Sequence, residues 1–251
     1  MFRIESLEKI KPLLGEDHIA HLNTVGRMNS NPEIEIYVDN LEDPKGFVLR
    51  EGYWHIPYSR HMDILLHMIN SFSWNKEIGF CGIPSHTAQL LREKLLGYEL
   101  SWDEPCELFY YPNKTLPIES GLESLPSLKP EHVETVNHHY TYKDEDSYEY
   151  LMSCIQKNPS SVILDEQNNP ISWALVREDH SMGVMYTVDA HRGKGIAEKV
   201  TLDLMKKVLN YGNTPYVHIV TDNEKSKNLA IKAGFIHWGP ITWFGMERKE
   251  G

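Results

Sequence analysis

The sequence has little cysteine: Cys81, Cys106 and Cys154 are odd in number, widely spaced and free of any Cys-x-x-Cys pair. That excludes a disulfide framework and a thiolate metal cage, and the three read as reduced, buried thiols in a reducing compartment. Basic residues are short as well, 25 Lys and Arg against 36 Asp and Glu, a formal charge of −11. Such a surface repels a polyanion that must be gripped along a broad face, which argues against nucleic acid but leaves room for a small anion at a helix N-terminus. No apolar run approaches the roughly 20 residues that span a bilayer. The opening MFRIESLEKIKPLL has neither the apolar core of a signal peptide nor the acid-poor composition of a transit peptide. A cytoplasmic protein without a membrane segment is expected. Thirteen histidines include no His-Glu-x-x-His and no Cys/His quartet, so no metal is expected.

What is present is an alternation of strand and helix patterns. IEIYVDN (34–40) and GFVLREGYWHIPY (46–58) read as strands, and RHMDILLHMINSF (60–72) as a helix. Residues 78–102 read as strand, helix opening at Pro84-Ser85, Gly97 stop, and strand with Trp102. The same grammar returns over 217–238, with Gly234-Phe235 in place of Gly97-Tyr98 and Trp238 in place of Trp102, and each copy ends in a further strand, at 106–112 and 241–248. This predicts two copies of one module, 1–115 and 116–251, joined through a Pro-, Ser- and Gly-enriched linker at 113–132. The second half then reads helix (130–140), helix (145–157) and strands at 161–165, 171–177 and 184–188. The fold class is α/β, an α+β mixed sheet.

After the third strand stands TVDAHRGKGIA, with Arg192, Gly193, Lys194 and Gly195 ahead of a helix whose apolar residues Ile196, Val200, Leu204 and Val208 keep helical spacing. The first N–H groups of a helix lack internal partners and the macrodipole adds positive charge, so this turn suits a phosphate. Glycine lets the backbone come close. A Walker loop needs Gly-Lys-Ser/Thr, and a Rossmann turn needs a third glycine and a later acid; neither pattern is here.

Arg192-Gly193-Lys194-Gly195-Ile196-Ala197 matches the Arg/Gln-x-x-Gly-x-Gly/Ala signature of the GCN5-related N-acetyltransferase superfamily. Asn223, Ser226, Leu229, Gly234 and Phe235 match its downstream segment. PEHVETVNHHYTY, SYEYLMSCIQKNPSSVILDEQNNPISWALV, YTVDAHRGKG and PYVHIVTDNE resemble, in order, stretches of the glycine N-acyltransferase-like family. The resemblance implies a tandem fold with a degenerate N-terminal copy and a C-terminal copy that binds coenzyme A. It implies that the amides of Gly193 to Ala197 hold the pyrophosphate, that the strand of Tyr186, Thr187 and Val188 pairs with the pantetheine and polarises the thioester through a backbone N–H, and that Asn223 and Ser226 lie close by.

The match also has gaps. Aminolysis of a thioester needs a neutral amine and a route for protons. Where many superfamily members carry a thiolate-protonating Tyr, this chain has Ala230; where glycine N-acyltransferases carry a Glu base, it has Ser181, just after Glu178, Asp179 and His180. His218 is the other candidate base, against a sheet histidine satisfied by a backbone carbonyl. The expected activity is transfer of an acyl group, acetyl first, from acyl-coenzyme A to a small amine such as glycine or another amino acid, by a monomer or homodimer. Two rivals remain: an acyl-coenzyme A sensor without catalysis, and an acetyltransferase acting on a protein lysine or N-terminus.

Overall fold

The computed structural model describes residues 1–116 and 124–250; of the expected linker, 117–123 lie outside the described residues. The chain divides into two compact units that are not simple halves. Unit 1 comprises Met1–Leu108, His218–Asn223 and His237–Gly251, and unit 2 comprises Phe109–Val217 and Glu224–Ile236.

In chain order, unit 1 begins with β1 (Phe2–Ile4), α1 (Lys11–Glu16), α2 (Leu22–Ser30), β2 (Glu35–Val38), β3 (Gly46–Glu51) and β4 (Trp54–Ser59). α3 (Met62–Ser71), β5 (Glu77–Pro84), α4 (Ser85–Lys94) and β6 (Tyr98–Tyr110) follow. The run 46–58, expected as one strand, is a hairpin: Gly52 takes φ +57 and Glu51 faces Trp54. Conversely, the two strands expected across 98–112 are the single strand β6, because Pro105 does not interrupt it.

Unit 2 holds α5 (Val133–His138), α6 (Ser147–Lys157), β7 (Ser160–Leu164), β8 (Pro170–Val176), β9 (Met182–Thr187) and α7 (Ile196–Asn210). β10 (Tyr216–Val220), α8 (Glu224–Lys232) and β11 (Ile236–Arg248) complete the chain. The order helix, helix, three strands, helix, strand, helix, strand thus occurs twice.

The large sheet runs β1-β2-β3-β4-β5-β11-β6-β10, and unit 1 holds β6 up to Leu108 and β10 from His218. β11 lies antiparallel to β5, with Gly245 facing Gly79 and Phe244 facing Phe80. The two phenyl rings stack at 4.7 Å within a core that includes Phe47, Leu49, Met68 and Ile83. β4 and β5 are parallel, but their register covers only Trp54–Gly79 and His55–Phe80. Just beyond, the Cys81 carbonyl accepts from Asn23 Nδ2 of α2 at 2.8 Å.

The sheet of unit 2 is β7-β8-β9, all antiparallel. α5 and α6 bury Val136, Leu151 and Cys154 with Val162, Trp173 and Leu175. α7 is strapped to the start of this unit: Asp203 accepts from Ser161 Oγ at 2.6 Å and from the Leu125 amide at 3.1 Å, while Lys207 donates to the carbonyls of Leu125 and Ser160. Cys81, Cys106 and Cys154 are all buried. No helix among the described residues is long and apolar enough to cross a membrane.

Candidate functional site

The site of unit 2 is built from the outermost strand of its sheet and the turn that leaves it. Along β9, Gly183 faces Leu175 and Tyr186 faces Trp173, so three steps on β9 match two on β8. The extra residue is a bulge, and Val184 within it has φ 49. A β-branched residue there is a true outlier costing about 1–3 kcal/mol, the kind of strain that gathers where a backbone has work other than pairing.

Beyond the bulge, Val188 donates its N–H to the Ile171 carbonyl at 2.9 Å. Antiparallel strands alternate the direction of their backbone groups. The N–H and C=O of Thr187 therefore point away from β8, and the Thr187 carbonyl indeed accepts from Arg192 Nε at 2.9 Å. The amide on the outer side of the strand's end is that of Thr187; the amide of Val188 is committed to the sheet.

A short 3-10 turn, Asp189–His191, leads into Arg192, Gly193, Lys194 and Gly195. Gly193 and Gly195 have φ +75 and +73, and an added Cβ would meet nothing within 4 Å at either. Their need for glycine is therefore conformational, and the space outside them is open. Gly195 is the N-cap of α7, and no side chain caps this helix. The first amides of a fifteen-residue helix, with Ile196 and Ala197 in its first turn, are thus offered outward. Glu198 in that turn would oppose an anion, but its carboxylate pairs with Lys232 at 2.6 Å. Lys194 Nζ folds back onto the Ala190 carbonyl at 3.0 Å.

Against this corner lies an aromatic stack. His139 is parallel to Tyr186, with centroids 4.2 Å apart and planes at 18°, and Trp173 packs behind Tyr186 at 5.4 Å. Burial, with help from His138, holds the His139 imidazole below its ordinary pKa.

The turn before β9 carries Glu178, Asp179, His180 and Ser181. Ser181 is fully buried, and its hydroxyl and amide both donate to Asp179 Oδ1, at 2.6 and 2.9 Å. Tyr216 donates its hydroxyl to the Asp179 carbonyl. Glu178 is the half-exposed carboxylate of this turn. Cys154 has its thiol pushed up to about 11, chiefly by burial, and is a core thiol.

Of the other expected residues, Ser226 lies in the α8 segment of unit 2, while His218 and Asn223 belong to unit 1. In unit 1, Nδ1 of His218 accepts from the Trp243 indole at 3.1 Å. Indole nitrogen only donates, so the neutral ring carries its proton on Nε2. The ring also lies where a Cβ on Gly82, at φ +63, would fall. The Asn223 amide donates to the Val220 carbonyl at 2.9 Å. Ala230, standing where the resemblance reserves a phenol, is buried. No group of three or more potential metal ligands occurs among the described residues.

A family model described as FR47-like protein matches residues 162–243, which contain β9, the glycine turn and α7. Human glycine N-acyltransferase-like protein 1 is 29% identical over 94 residues, covering 37% of this chain and 31% of its own length. Bovine glycine N-acyltransferase is 25% identical over 139 residues, 52% and 47% of the two chains. The chain thus spans less than half the length of these curated relatives. Among solved structures, a Drosophila protein from a structural-genomics programme superposes with a TM-score of 0.77 at 14% identity, over 97% of this chain and 94% of that one. An acetyltransferase of the GNAT family from Colwellia psychrerythraea gives 0.58 at 17%, over 99% of both. Solved members of the GCN5-related N-acetyltransferase superfamily thus share the fold of this chain. Over part of its sequence the chain is similar to glycine N-acyltransferase and to glycine N-acyltransferase-like proteins.

Proposed function

We propose that the chain is a tandem fold of this superfamily in which unit 2 binds acyl-coenzyme A, acetyl-coenzyme A first among them, and transfers the acyl group to a small amine such as glycine. The observation that carries the reading is the uncapped N-terminus of α7 behind two left-handed glycines with open space outside them. The amides of Gly193 to Ala197 hold the pyrophosphate, and Tyr186, Thr187 and Val188 line the pantetheine, with the outward Thr187 N–H polarising the thioester carbonyl. A fixed amide aimed at a developing oxyanion lowers the barrier without reorganisation. Asn223 and Ser226 follow from the superfamily's motif. The amine attacks the thioester carbonyl directly, Glu178, the half-exposed carboxylate of its turn, takes the proton that the adduct sheds, and the C–S bond breaks to release coenzyme A as its thiolate. Ser181 supports that turn from below through Asp179. His218 remains a candidate for proton transfer, although a ring that accepts from Trp243 gains a second proton only by giving up that bond.

A second reading, binding without catalysis, is favoured by Ala230 and by the burial of Ser181. The test is acetyl-coenzyme A titrated calorimetrically, then thiol release measured with amino acids, other small amines and lysine peptides. Gly195→Val is expected to keep the fold and weaken binding at least about tenfold, because a β-branched residue resists φ +73. His218→Ala is expected to keep affinity and lower turnover. Binding without product from any acceptor establishes the sensor instead, and turnover with lysine peptides alone establishes a protein acetyltransferase.

A further inference from the structure

Arg192 begins the glycine turn, and its charge invites a role as a phosphate ligand. Its geometry says otherwise. Nε donates to the Thr187 carbonyl at 2.9 Å, Nη2 meets Asp189 at 2.8 Å, and the guanidinium lies over the Tyr186 ring, 5.2 Å from its centroid. Tyr186 is itself stacked on His139, and Thr187 is pinned from the other side by the contact of its hydroxyl with that of Ser172 at 2.8 Å. The side chain thus reaches back from the turn to the last residue of β9. The Asp189 pair is exposed at both ends, so it adds about 0–1 kcal/mol and serves mainly to aim the guanidinium.

We infer that Arg192 is a positioning residue, a strut that fixes the outer edge of β9 at one distance from the phosphate-holding turn. This rests on the proposed function for its consequence, but not for its geometry. The superfamily signature admits Arg or Gln at this position, two residues that share no charge. They do share one atom: Gln Nε2 lies as many bonds from the backbone as Arg Nε, and both donate. Lysine, which keeps the charge, has a methylene there.

Arg192→Gln and Arg192→Lys separate the roles. Coenzyme A affinity is measured by calorimetry at two salt concentrations, and amide hydrogen exchange of the unliganded protein is followed at Val188, His191 and Arg192 or its replacement. These amides close the turn, donating to Ile171, Val188 and Asp189. A strut predicts that Gln binds within about threefold of the wild type with the same salt slope, and that Lys binds about tenfold more weakly and exchanges faster at all three amides. With acetyl-coenzyme A, the Lys variant also shows a raised KM and a lowered kcat, since the two ends of the cofactor lose their common register. The reverse order, Lys retaining affinity and Gln losing it with a flatter salt slope, overturns the strut. If the wild type binds no coenzyme A, the proposed function falls while the exchange data still decide: equal protection in the Lys variant and the wild type overturns the inference by itself.

Discussion

His21 and His55 are buried in unit 1, and each has Nε2 without a hydrogen-bond partner among the described residues. His21 stands edge-on to Tyr58 at 4.2 Å, and His55 gives its Nδ1 proton to the Tyr53 carbonyl at 2.9 Å. Burial is the main cause that lowers both to about 4 from 6.5. The fold therefore favours the neutral rings, so stability is full above pH 6.5 and is lost as the pH falls towards 4, by up to about 3 kcal/mol per ring. Thermal unfolding should show a Tm that is level from pH 8 to 7 and drops between 6.5 and 4. His21→Leu should flatten part of that drop, and an unchanged profile would refute the assignment. At this scale the sequence was only partly legible. The glycine turn announced itself, because positive φ at Gly193 and Gly195 leaves a trace in residue type. The same conformation at Val184 leaves none, since nothing in Gly-Val-Met-Tyr marks which residue the bulge strains.

Among the elements, α7 joins the glycine turn to the rest of unit 2. Its apolar spacing was readable and its anchor was not. Asp203 and Lys207, one helical turn apart at 3.0 Å, look like an ordinary surface pair in the sequence. In the fold Asp203 is buried, with two further donors, and Lys207 reaches two carbonyls. Removing one partner of such a pair costs about 3–5 kcal/mol, because the other charge stays buried. Asp203→Ala should lower the urea midpoint with an unchanged m-value, far more than Glu198→Ala, whose Lys232 partner is exposed. Equal losses in the two variants would show that the strap carries no special weight. Strands misjudged along the sequence have a similar cause: the Gly52 turn hid inside a β-rich run, and the second strand expected from residue 106 is a continuation of β6.

For the whole molecule, the strand-helix-strand order at β5-α4-β6 and β10-α8-β11 was legible, and the composition of the units was not. Periodicity tells which residues form a strand, but not which neighbour the strand pairs with. β11 follows α8 in the chain, yet it supplies the antiparallel partner of β5 and brings Phe244 and Met246 into the core of unit 1. A chain ending at Ile236 should therefore fail in unit 1, where β5 loses its antiparallel neighbour and keeps only its short parallel pairing with β4. Differential scanning calorimetry would check this, with loss of the cooperative transition expected and a wild-type-like endotherm contradicting it.

That placement of β11 also sets an order of events during synthesis. A ribosome makes Met1–Leu108 well before His237–Gly251, the segment that finishes this unit, because the bulk of unit 2 lies between them in the chain. Until then the edge of β5 has no partner, and an open strand edge beside apolar surface is a site for mispairing. The unit begun first along this sequence is completed only after most of unit 2 has been made, so its folding waits for a distant strand.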